Sequence, residues 1–155
     1  MEKGSIELRI RGVSLEDDEP IVLLEDRVTD RRLIVPVGPF EASAIILELE
    51  GISPPRPMTH DLLAEFFEEG GFILDGAELF GDAGSGIRAR LVYRKGLRKF
   101  EKEIRPSDAL ALALRLGAPL RAEIALLELQ ERESSPWLRP RIVALEDWKA
   151  KALRA

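Results

Sequence analysis

The chain has no cysteine, a single histidine (His60) and a single tyrosine in 155 residues. Without a thiolate there is no cysteine zinc site, iron–sulfur cluster, cysteine nucleophile or disulfide framework. One imidazole cannot build a three-histidine cage, so any imidazole chemistry rests on His60. No apolar run approaches the roughly 20 residues that span a bilayer, and the opening MEKGSIELRIRG has no signal-peptide core. The expectation is a soluble, cytoplasmic protein with no membrane partner. Glycine-rich phosphate loops of standard spacing are also missing, and neither Ser43 nor Ser107 has a histidine at motif spacing.

What is present suffices for a core. A chain of this size buries about 70% of the surface that its unfolded form exposes, and 45% of the residues are hydrophobic. The formal charge is −5, so no overall basic field draws the chain to nucleic acid. Any such contact must be a local patch. Of the 23 basic residues 17 are arginine, the side chain whose planar fork matches phosphate oxygens.

Apolar residues alternate over 6–10, the period of a half-buried strand. The acidic run Glu16-Asp17-Asp18-Glu19 before Pro20 reads as a solvated turn, not a cation site. Two short apolar runs, 21–24 and 33–37, flank a polar stretch and read as a hairpin. Gly38-Pro39-Phe40-Glu41 then starts a helix reaching about residue 50, because proline suits the first turn and an acid there complements the helix dipole. An extended link over 54–57 leads to Thr59 as N-cap of a second helix, with Leu62, Leu63, Phe66 and Phe67 expected on one buried face. Segments 72–80, 87–93 and 97–104 read as an antiparallel meander. A third helix opens at Pro106-Ser107-Asp108 and is apolar nearly all round, so it should be buried on more than one side. A short strand begins at Leu120, and a mixed segment follows to about 133. Residues 1–133 form the expected domain, with Ser134-Ser135-Pro136 as a linker and an amphipathic C-terminal helix in 134–155.

A local echo carries the chemistry. Arg56-Pro57-Met58-Thr59-His60-Asp61-Leu62 resembles Arg105-Pro106-Ser107-Asp108-Ala109-Leu110, each placing an arginine, a proline, a hydroxyl and an aspartate at a helix mouth. The unpaired N–H groups of a first turn favour phosphate, and Arg56, Arg105, Thr59 and Ser107 add donors beside them. Asp61 and Asp108 suit a hard cation such as Mg²⁺, and Glu41 is a third acid in a similar place. If the three mouths converge, these acids, His60 and the two arginines compose the equipment for metal-assisted phosphodiester cleavage. Helix caps with paired arginines account for the same residues without catalysis. Separately, Arg88, Arg90 and Arg94 on one strand, with Arg98 and Lys102 on the next, suit either a phosphate-backbone track or an ordinary solvated sheet face.

Taken together, the Gly38-Pro39-Phe40-Glu41-Ala42 motif, the residues 56–62 and the residues 105–115 followed by Gly117-Ala118-Pro119 resemble the bifunctional nuclease domain family over about residues 5–130. The resemblance is to a bacterial member, with Pro36 standing where the family commonly has a tryptophan or similarly large residue. It implies an α+β fold with a mixed, largely antiparallel sheet packed against three or more helices, and a homo-oligomer, expected to be a dimer. It also implies nuclease activity on RNA and DNA, as attributed to some plant members. On this reading Glu41, Asp61 and Asp108 hold Mg²⁺ or Mn²⁺, Arg56 and Arg105 hold phosphate, and His60 transfers a proton. The alternative is a non-enzymatic oligomeric module that binds a small anion or a protein partner.

Overall fold

A computed structural model describes residues 4–133; the expected linker and tail helix of 134–155 lie outside them. Seven strands and four helices follow in the order β1 (Ser5–Glu16), β2 (Glu19–Glu25), β3 (Arg32–Pro36), α1 (Pro39–Leu49), α2 (Thr59–Glu69), β4 (Ile73–Asp82), β5 (Gly86–Lys95), β6 (Arg98–Ile104), α3 (Pro106–Leu116), β7 (Leu120–Glu123) and α4 (Ile124–Glu133). The strands form one sheet ordered β3-β2-β1-β7-β4-β5-β6. Only β4 and β7 pair in parallel; the other pairings are antiparallel. The fold is α+β, a mixed and largely antiparallel sheet packed against helices. Among the described residues no helix is long and apolar enough to cross a membrane.

Local chemistry explains most of the boundaries. β1 extends to Glu16 through a register shift between Ile10 and Gly12, and Asp17 and Asp18 turn the chain at φ of 49° and 65°. Aspartate tolerates this left-handed region, which a two-residue hairpin requires. The acidic run is thus a hairpin turn. Pro36 closes β3 opposite Ile21 on the sheet's edge, where a missing N–H costs no ladder bond. Past β7, the expected mixed segment is helix α4, which buries Leu126 and Leu127.

α3 lies at the centre. It buries Ala109, Leu110, Ala111, Leu112 and Ala113 and packs against α1, α2, β4 and β5. Small residues alternating with leucine let a helix approach neighbours on several sides. Gly117, at φ of 65°, ends it in the left-handed conformation that a side chain would disfavour.

α2 departs from expectation twice. Its N-cap is Met58, not Thr59, and the Asp61 carboxylate accepts the Met58 N–H at 3.0 Å. Its apolar face is not buried: Leu62, Leu63 and Phe66 are 44%, 51% and 62% exposed. The helix instead turns Asp61 and Ala64 inward, because an ion pair to α3 sits where an apolar stripe was expected. Phe67 alone of the four folds back, stacking on Phe72 and meeting Tyr93 edge-on.

Candidate functional site at three helix mouths

Phe40 and Glu41 of α1, Met58 to His60 at the start of α2, and Arg105 and Asp108 at the start of α3 line one cavity of about 690 Å³. The three helix mouths therefore converge. Arg105 is the centre of their charge. Its Nε and Nη2 donate to the two oxygens of Asp108 at 2.8 and 3.1 Å, and its Nη1 lies 3.2 Å from Glu41 Oε1. The hydrogen bonds from Arg105 to Asp108, and then the charge of Glu41, hold the guanidinium above its ordinary pKa. Gly38 is part of this arrangement, since a Cβ there would collide with the Glu41 carboxylate.

Asp61 belongs to a second group. It is 8% exposed, and its Oδ1 lies 3.1 Å from Arg115 Nε and 3.3 Å from His60 Nε2. Glu48, His60 and Asp61 bring ligand atoms within 4.8 Å of one another, and they line a second cavity of about 380 Å³ with Arg115. The expected set of Glu41, Asp61 and Asp108 is not brought to one point. Arg105 takes Glu41 and Asp108 on one side, and Arg115 takes Asp61 on the other. His60 lines both cavities, as do Ala44 and Met58, and is the ionisable residue they share.

Of the other expected residues, Thr59 lines the large cavity. Ser107 is buried at 7% and lines neither. Arg56 is exposed, lines neither, and has no ion pair among the described residues. Glu48 and Arg115 were not expected, although each stands seven residues after a residue that was: Glu41 to Glu48 and Asp108 to Arg115. Seven residues are two helical turns, so each pair shares a face. The contact between α1 and α3 aligns both pairs, first turns at one cavity and last turns at the other.

The expected basic stripe is dismantled by register and by pairing. Leu91 pairs with Lys102 and Lys95 with Arg98, so Arg98 and Lys102 share the face of Leu91 and Tyr93, whereas Arg88, Arg90 and Arg94 point to the opposite one. On that face each arginine has its own acid. Arg88 meets Glu103 at 2.7 Å, Arg90 meets Glu78 at 2.5 Å and Arg94 meets Asp75 at 3.0 Å. The Arg88 hydrogen bond holds Glu103 below the usual carboxylate range, and that to Glu103 raises Arg88. Phe80 lies under both Arg88 and Arg90, at 5.1 and 4.8 Å. Arg98 covers Phe100, and Lys102 reaches the large cavity.

The sequence profile of the bifunctional nuclease domain matches residues 22–135. The chain is 35% identical over 123 residues to two uncharacterized proteins of Mycobacterium tuberculosis, MT1877 of strain CDC 1551 / Oshkosh and Rv1829 of strain H37Rv; the match covers 78% of this chain and 73% of each relative. Neither relative's name states an activity. With the domain matched across most of this chain, the chain belongs to the bifunctional nuclease domain family.

Proposed function

We propose that the protein is a metal-dependent phosphodiesterase acting on RNA or DNA. The observation that carries this reading is the Glu48, His60 and Asp61 group, whose ligand atoms lie within 4.8 Å of one another where two cavities share His60. The two carboxylates suit a hard cation such as Mg²⁺ or Mn²⁺, with the imidazole beside them. When bound, such an ion supplies positive charge against the oxygens of a phosphodiester.

The chain's own residues do the rest. Asp61 is held in one orientation by the Met58 N–H and Arg115 Nε. His60 Nε2, 3.3 Å from Asp61 Oδ1, is placed to hold or pass a proton at the site. Arg105 has five N–H donors, of which Glu41 and Asp108 engage three. The remaining donors are free for phosphate oxygens. Cleavage of short labelled RNA and DNA by protein purified free of host nuclease tests the reading. Mn²⁺-dependent cleavage lost in His60→Ala and Glu48→Gln is expected, and unchanged rates in both overturn it.

A second reading, an oligomeric binding module, is favoured by the outward apolar face of α2. Exposed residues such as Leu62 and Phe66 on adjacent turns mark a surface for association. It predicts a homodimer that Phe66→Ser disperses in sedimentation velocity; a monomeric parent protein would contradict it.

A further inference from the structure

We infer that the 690 Å³ cavity receives one unpaired nucleobase, making single-stranded nucleic acid the substrate class; this rests on the phosphodiesterase reading above. The volume lies in the range of organic-ligand pockets, about 300–1,000 Å³, and exceeds what a lone anion needs. Leu74, Leu91, Tyr93, Ile104 and Leu112 give the cavity a largely apolar lining. The charged groups of the lining come from the three first turns and from Lys102, which stands opposite Leu91 across β5 and β6.

Such a cavity fits a ligand with a flat, uncharged body and an adjoining anion. Lys102 supports the anion, since it has no carboxylate partner among the described residues, and the uncommitted donors of Arg105 stand near it in the chain. Phe40 supports the ring. It lines the cavity yet is 86% exposed, so its face is available for stacking on a base. His60 connects this cavity to Glu48 and Asp61, and a base held here would bring its own phosphate to that junction.

A duplex fits poorly. Its bases are stacked and paired, so one must leave the helix to enter a pocket. Nor is there a track for two backbones among the described residues: the net charge is −5, and Arg88, Arg90 and Arg94 are each matched by an acid.

The test uses the full chain in EDTA, where binding is read without cleavage. A labelled pentathymidylate and a duplex containing it are titrated by fluorescence anisotropy at one salt concentration. The strand should bind at least about tenfold more tightly than the duplex, and Phe40→Ala should remove most of that difference, as loss of a base-stacking ring does. Ala111→Phe, which fills the cavity wall, should abolish strand binding, and thymidine monophosphate should displace the strand where hexyl phosphate does not. Equal affinity for strand and duplex, no binding of either, or equal displacement by hexyl phosphate overturns the inference. So does Phe40→Ala binding like the parent, a result independent of whether Ala111→Phe folds. Mn²⁺ calorimetry on the parent protein separates the two proposals. Strand preference without Mn²⁺ uptake leaves the pocket standing and removes the metal site, and Mn²⁺ uptake with equal strand and duplex affinity does the reverse.

Discussion

The helix mouths and the open face of β4 and β5 are both built from arginine–carboxylate pairs, yet they differ in shape and in stoichiometry. On the sheet each arginine meets one acid across a flat, solvated surface. At the helix mouths Arg105 meets two acids at the edge of a cavity, and Asp61 is shared by Arg115 and His60 in a buried place. A one-to-one pair on a flat face is satisfied and leaves nothing to bind. Groups crowded at a concavity keep spare donors and a shielded environment, which is what a ligand can exploit.

The largest effect that separates the regions is expected at Asp61. Replacing it with alanine removes the cap on Met58 N–H and leaves Arg115 without its acid, which should cost about 2–3 kcal/mol in urea denaturation. An effect below about 1 kcal/mol would place Asp61 with the surface pairs instead. Asp108→Asn should cost less, about 0.3–1 kcal/mol for an acid lost from the first turn of α3, while freeing Arg105 and tightening phosphate binding by calorimetry. Arg90→Ala on the sheet face should cost below about 1 kcal/mol and leave oligonucleotide affinity unchanged; a marked loss of affinity would restore the basic stripe.

Acid should loosen the sheet only weakly, and only at low pH. Glu103 is held low by the Arg88 hydrogen bond, and Asp82 chiefly by the Ser85 N–H and hydroxyl. Groups lowered in the folded state contribute stability above their ordinary pKa and lose it as pH falls through the lowered value. The turn between β4 and β5 should therefore stay unchanged from pH 8 to about 5 and loosen below about 4 in amide exchange. Loosening already above pH 5 would contradict this.

The helix starts were legible because their signals are local: Pro39 and Glu41 open α1, and Pro106 and Asp108 open α3. The central placement of α3 followed from its alternating leucine and alanine. The face of α2 was not legible, because four apolar residues at helical spacing look the same whether they turn inward or outward. The β5–β6 register was hidden as well, since charged residues alternate on both faces of β6 and a one-residue slip exchanges them. Part of the candidate site was visible in the repeated arginine and aspartate motifs. Glu48 and Arg115 became meaningful only once α1 and α3 were known to lie side by side.

The most direct test of the account is a calorimetric titration of Mn²⁺ into the metal-stripped protein and its Glu48→Gln and Asp108→Asn variants. The account predicts one bound ion in the parent, at least about tenfold weaker binding in Glu48→Gln, as loss of a metal-site partner commonly brings, and parent-like binding in Asp108→Asn. Binding lost in Asp108→Asn but kept in Glu48→Gln would contradict it.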